Sequence, residues 1–270
     1  MHSISPVELF QSFRKHRYLI LSLSKREILS RYRGSLFGIL WSFFNPIFML
    51  TIYTFVFSVV FKAKWGTGSE SRAEFAMVLF AALIVFNFFS ECINRAPSII
   101  IGNVNYVKKV VFPIEILPYT VLISGLFHMG ISVLVWICAY TFLIGIPHYT
   151  IIFLPLIIIP LIMLTIGRVW SISALGVYLR DISQITGILT STLLFMSPIF
   201  YPISILPETY QKFLFFNPLT LAIEQTRNVM YWGTYPDWVN LGLYYLGTAL
   251  IAWLGFTWFQ KTRKGFADVL

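Results

Sequence analysis

A chain of 270 residues that is 57% hydrophobic and 11% charged lacks the polar side chains to cover a water-soluble domain, where about 25% of residues are charged. Lipid is the solvent such a surface fits, and the long continuous apolar runs exclude the alternating pattern of a membrane β-barrel. The formal charge of +9 gathers beside those runs (Arg14, Lys15, Arg17, Lys25, Arg26, Arg31 and Arg33 before the first, Lys261, Arg263 and Lys264 after the last), which indicates lipid headgroups and orientation rather than nucleic acid.

Ser5-Pro6-Val7-Glu8 reads as a helix start: Ser5 can cap, Pro6 suits the first helical position and Glu8 sits where a capping-box carboxylate reaches back. Leu9, Phe10 and Phe13 then lie beside Arg14, Lys15 and Arg17, the pattern of an amphipathic helix resting in the membrane interface. A second basic helical stretch, residues 24–34, leads into the first apolar run. Spans are predicted at 36–61, 75–93, 116–145, 150–178, 182–201 and 238–259. The third is overlong and should tilt or begin as a cytosolic segment. The fold class that follows is all-α: a polytopic membrane protein of about six transmembrane helices with surface or re-entrant helices between spans five and six. It forms one unit over 1–270, with interfacial and gate segments at 1–35, six spans over 36–259 and a tail at 260–270. No cleavable signal peptide is expected, because the first apolar run is of full span length and no small-residue cleavage site follows it.

Basic residues set the expected orientation. The N-terminal segment, the loop at 94–115, the Arg180 turn and the tail hold fourteen Lys and Arg, whereas the intervening connections hold five: Lys62, Lys64, Arg72, Lys212 and Arg227. The richer side should be cytosolic, which puts both termini inside.

Candidate sites follow in chain order. Arg31-Tyr32-Arg33 stands where the first span meets the headgroups; the arginines either anchor the chain or form a portal that grips phosphate. Phe37, Trp41, Phe44, Phe48 and Phe55 share one helical face. They serve either lipid contact and helix packing or a channel wall whose aromatic surface suits sugar C–H faces without specifying one hydroxyl pattern. Glu91 near the end of span two is the expected partner of Arg168, an intramembrane charge in span four whose alternative role is substrate contact. The loop at 94–115, with Pro97, Gly102, Tyr106, Lys108, Lys109 and Pro113, is longer than a bare connector and suggests a docking element for a soluble partner. The partly apolar segment at 202–237 holds Tyr210, Phe213, Leu214, Phe215, Phe216 and Trp232, residues suited to the membrane interface. Cys92 and Cys138 have neither disulfide nor metal spacing, and His2, His16, His128 and His148 are scattered. No Walker-type phosphate loop or paired-carboxylate motif appears, so no catalytic residue, metal site or bound cofactor is expected in this chain.

An ordered series of fragments resembles a known family. Arg31-Tyr32-Arg33-Gly34-Ser35-Leu36-Phe37-Gly38-Ile39-Leu40-Trp41 with Pro46 is similar to the opening of the polysaccharide-export permeases among type-two ATP-binding-cassette exporters. Tyr106-Val107-Lys108-Lys109 with Phe112-Pro113, Leu179-Arg180-Asp181, Ser197-Pro198-Ile199-Phe200-Tyr201 and Asn217-Pro218-Leu219 continue the match over most of the chain. The resemblance implies a homodimer of six-helix subunits in the bacterial inner membrane, bound to two copies of a separate ATPase that carries ATP and Mg. The exported substrate would be a polymer on a polyprenyl-diphosphate lipid. It further implies that the N-terminal helix and Tyr106–Val110, including Lys108 and Lys109, contact the ATPase. Spans one and five, with Phe200 and Tyr201 at the exit, would line the path. Arg168 is not part of that pattern. Two rivals remain at this point: a membrane enzyme acting on lipid-linked sugars, and an ion-driven transporter. The first needs interfacial carboxylates; the second, repeated halves with acidic midplane residues.

Overall fold

A computed structural model describes residues 6–56, 65, 72–108 and 112–270, which form helices and connecting turns without a strand among them. In chain order the helices are α1 (Pro6–Lys15), α2 (Arg17–Arg31), α3 (Trp41–Tyr53), α4 (Arg72–Arg95), α5 (Ser98–Ile101), α6 (Val104–Val107), α7 (Leu117–Leu143), α8 (Leu154–Tyr178), α9 (Ile182–Met196), α10 (Glu208–Leu214), α11 (Pro218–Arg227), α12 (Trp238–Thr262) and α13 (Phe266–Val269). Five of the continuous helical stretches among the described residues are long and apolar enough to cross a membrane: Gly38–Val56, Ala73–Arg95, Ile114–Leu143, Tyr149–Tyr178 and Trp238–Val269. The sixth apolar helix, α9, has 15 residues and ends at Met196 rather than at 201. Its stop is local chemistry. Ser197 leaves the helix with ψ 151°, and Pro198 offers no N–H to continue the ladder. The expected end of span one, residues 57–61, lies outside the described residues.

The helix at the centre is α4. In α4, 83% of the most apolar stretch is buried, with α7, α8, α9 and α11 packed around it. Trp136 on α7 is fully buried and donates its indole N–H to the Met77 carbonyl at 2.9 Å. The closest helix pair is α8 with α12, and it depends on two residues without side chains. A methyl group on Gly167 would come within 2.6 Å of the Ile251 carbonyl oxygen, and one on Gly255 would overlap the Gly167 carbonyl. Small residues allow such backbone approach where lipid supplies no hydrophobic force between helices.

The described chain ends meet at one end of the bundle. Phe13 on α1 packs on Tyr119 at 5.2 Å between ring centres, and Arg263 after α12 pairs with Glu115 at 2.8 Å. Tyr178 at the end of α8 donates its hydroxyl to the Thr262 carbonyl at 2.9 Å. The loop at 94–115 and the Arg180 turn share this end, so the four basic segments of the sequence lie together. The loop contains two one-turn helices, α5 and α6; Lys109 and Val110 lie outside the described residues.

At the opposite end, two short helices, α10 and α11, precede α12. Asn217 caps α11 by accepting the Leu219 N–H at 3.0 Å, with Pro218 at the first helical position. Helix α11 is inserted against α4 and α8. Its last residue, Arg227, is 1% exposed and ties the exit segment together. The guanidinium donates to the carbonyls of Val78 at 3.2 Å, Pro198 at 2.5 Å and Ile199 at 2.6 Å, and to Glu224 at 2.9 Å. Its flat face covers the Trp65 ring at 4.2 Å.

Candidate functional site

Helix α3 is the least embedded span. Only 11% of its most apolar stretch is buried, and its contacts with its own chain run mainly along α7. Trp41, Phe44 and Phe48 are exposed on it, Phe55 is exposed just past its end, and Phe37, expected on the same helical face, is exposed just before it, ahead of the backbone break at Gly38. The rings of Phe37, Trp41, Phe44 and Phe48 touch in sequence, with centres 5.6 Å apart for Phe37–Trp41, 6.1 Å for Trp41–Phe44 and 6.4 Å for Phe44–Phe48. Edge-to-face contact lets a row of rings keep one surface free while stabilising itself. At the far end of α3, Tyr53 lies 6.4 Å from Phe200, which sits 5.8 Å from Phe195 of α9. Tyr201 donates its hydroxyl to the Phe195 carbonyl at 3.2 Å. The turn after α9 is therefore held against the far end of α3 through Tyr53, and Arg227 fixes that turn by its carbonyls at Pro198 and Ile199.

The near end of the row of rings begins at a reversal between α2 and the span. Gly34 has φ +83° and Gly38 φ +53°, a region that side chains strain, although a Cβ at either position would meet open space. These glycines serve the backbone path, not packing. Ser35 closes the turn with its N–H and hydroxyl on the Tyr32 carbonyl.

A charge network fastens this reversal to the bundle. Arg31 pairs with Glu91 of α4, and Arg95, one turn further along α4, lies 3.4 Å from the same carboxylate. Arg95 also pairs with Glu27 of α2 and donates to the Ser124 hydroxyl at 3.3 Å. His128 of α7 completes the group: Nδ1 is 3.0 and 3.1 Å from the two Glu91 oxygens, and Nε2 is 2.9 Å from the Tyr32 hydroxyl. A carboxylate only accepts, so Nδ1 carries a proton and donates it to Glu91. Partial burial pushes the Tyr32 hydroxyl pKa up, which keeps it a donor.

Glu91 therefore does not pair with Arg168, contrary to the expectation from sequence. Gly167 occupies the narrow contact with α12, and the neighbouring Arg168 is turned onto the exposed surface of α8 without an ion pair among the described residues. Arg33 is likewise exposed. Sequence reasoning passed over His128, Arg95, Glu27 and Arg227. An ionisable residue within an apolar run was the available signal for His128, and Glu224-x-x-Arg227 at helical spacing was the signal for the exit clamp.

The loop beyond α4 reaches the same helix α2. Arg26 donates to the Tyr106 hydroxyl at 3.1 Å, and the Tyr106 ring stacks on Phe112 at 4.4 Å. A cavity of about 240 Å³ lies between α2, the loop and α7, lined in part by Arg26, Glu27, Arg95, Asn103 and Tyr106. Lys108 closes α6. Contacts at 26, 27 and 31 thus join α2 to both the loop and the charged group on α4.

Comparison with known proteins agrees with this architecture. The ABC-2 type transporter family matches residues 18–231. The chain is 24% identical over 264 residues to the O-antigen export system permease protein RfbA of Myxococcus xanthus, covering 97% of this chain and 99% of that one. It is 26% identical over 257 residues to RfbA of Klebsiella pneumoniae, at 93% and 95% coverage. The polysialic acid transport protein KpsM of Escherichia coli is 24% identical over 259 residues, at 93% and 96% coverage.

Proposed function

The chain belongs to the ABC-2 type transporter family, and from that premise we propose that it is the transmembrane permease subunit of an ATP-driven exporter of lipid-linked polysaccharide. One observation carries the reading: an exposed row of touching rings, Phe37, Trp41, Phe44 and Phe48, runs along α3 from the charged reversal at Arg31–Arg33, and the far end of that helix meets the turn bearing Phe200 and Tyr201 through Tyr53. Rings that touch one another offer a continuous apolar, polarisable wall. Such a wall lets successive sugar units pass without a binding step strong enough to stall them. The names of the relatives, all of which concern O-antigen export or polysialic acid transport, support the same substrate class.

Two subunits would enclose the path, each presenting α3 and α9, whose apolar faces are poorly covered by their own chain. ATP and Mg belong to a partner ATPase, two copies per complex. Work would reach the spans mechanically through α1 and the Tyr106–Val110 segment. Both termini face the cytosol in this reading, supported by the basic segments gathered at one end of the bundle. Arg31 and Arg33 then stand at the cytosolic portal, where a polyprenyl-diphosphate headgroup arrives.

The test is co-purification and export. A tagged chain expressed at native level should retain a nucleotide-binding partner in mild detergent, and its deletion should trap lipid-linked polymer on the cytosolic side. Recovery without any ATPase, together with unchanged surface polymer in the deletion strain, would refute the proposal.

A further inference from the structure

Arg31, Glu91 and His128 are brought together by three elements, and their partners are unevenly shared. The Arg31 side chain is 49% exposed, whereas that of Glu91 is 18% exposed. Glu91 has two further partners on the bundle, the His128 N–H at 3.0 Å and the Arg95 guanidinium at 3.4 Å. Arg31 has Glu91 as its carboxylate partner; its other polar neighbour, His128 Nδ1 at 3.3 Å, already carries a proton directed at Glu91 and cannot accept from it.

Removing Arg31 from this group therefore leaves the acid paired, while the departing guanidinium takes its forked donors to the exposed side. A buried carboxylate abandoned by its partner is costly; one that keeps a cation and a neutral donor is not. Arg33, two residues further along the chain, is exposed as well, so a second positive charge is available to an anion arriving at this reversal.

We propose that Arg31 is an exchangeable arginine: it holds Glu91 while the portal is empty and passes to a phosphate of an arriving lipid headgroup. This rests on the export reading and adds to it the competitor that substrate must displace. Planar guanidinium donors match two phosphate oxygens as well as they match a carboxylate, so one cation can serve both states. Tyr32, the next residue, is hydrogen-bonded to His128. Release of Arg31 from α4 thus removes one of the ties on the reversal that leads into α3 and leaves the Tyr32–His128 hydrogen bond as the neighbouring one. His128 and Arg95 act as positioning residues that keep Glu91 in place for the return.

The experiment uses the complex with its cognate ATPase in phosphatidylcholine proteoliposomes, titrated with polyprenyl diphosphate, polyprenol or phosphatidylglycerol. Glu91→Gln removes the competing charge and keeps a similar shape. It should lower the polyprenyl diphosphate concentration for half-maximal ATPase stimulation by about two- to fivefold, the range expected for a half-exposed ion pair. Polyprenol should give no shift. An equal shift with phosphatidylglycerol supports the exchange and assigns the phosphate to bilayer lipid rather than to substrate. An unchanged or higher half-maximal concentration in a correctly assembled Glu91→Gln complex overturns the proposal.

A second measurement covers a variant that fails to assemble. Spin labels at Leu29 and Leu134, both exposed, report the α2–α7 distance in the otherwise native complex. Polyprenyl diphosphate should change that distance and polyprenol should not; no change with either sinks the exchange. A wild-type complex that exports polymer but shows neither effect rejects the exchange alone. A wild-type complex that moves no lipid-linked polymer rejects the export reading beneath it.

Discussion

Arg227→Met tests whether the exit turn is held by one buried fork of donors. Arginine satisfies the carbonyls of Val78, Pro198 and Ile199 at once, and methionine satisfies none of them. Each orphaned carbonyl costs about 1–3 kcal/mol, and the lost cation–π contact with Trp65 adds about 0.5–2 kcal/mol. Against this stands relief from burying a guanidinium, several kcal/mol, so the losses do not simply add. Glu224 is 35% exposed and stays hydrated when its partner leaves, so it contributes little to the balance. A net loss of about 3 kcal/mol follows, within the span seen when one partner of a buried polar network is removed. At roughly 2–4 °C per kcal/mol, the apparent midpoint should fall by about 6–12 °C. The assay heats the detergent-solubilised protein and measures the remaining monodisperse peak at a fixed heating time, since unfolding will be irreversible. Arg227→Lys should fall between the two, because an ammonium keeps the charge but not the planar reach to carbonyls on separate segments. A midpoint within 2 °C of wild type for Arg227→Met at equal yield would refute the clamp.

Two further outcomes can be checked directly. Gly255→Leu should abolish recovery of folded protein, because its side chain must occupy the space of the Gly167 carbonyl, whereas Gly242→Ala, with nothing near its Cβ position, should be recovered normally. After replacement of Cys92 and Cys138, a cysteine at Thr234 should react with an impermeant maleimide on intact cells and one at Asn103 only once the membrane is opened; the reverse pattern would invert the proposed orientation.

Much of the architecture was legible before any tertiary contact was known. Hydropathy is a property of short windows, so the apolar runs located the spans. The breaks at Pro198 and at Gly34 and Gly38 arise from each residue's own backbone chemistry, yet the hydropathy reading carried spans five and one straight through Pro198 and Gly38. The spacing of Trp41, Phe44 and Phe48 on α3 was also local, since rings three and four apart share a helical face, whereas Phe37 proved to lie before the helix, beyond the backbone break at Gly38. Even the gathering of basic segments at one end follows from counting crossings. What hydropathy could not contain was which charges meet. Glu91 lies 60 residues from Arg31 and 37 from His128, and Arg227 lies 149 from Val78. Sequence logic paired Glu91 with Arg168 because both are charges in apolar runs. It had no means of knowing that the glycine beside Arg168 would claim the α12 contact and turn the arginine outward. The exposure of α3 was hidden for the same reason: an apolar span looks alike whether lipid, its own bundle or a second subunit covers it. Only the packing of the other helices around α4 decides which apolar face is left over, and that surplus face is where a translocation path can form.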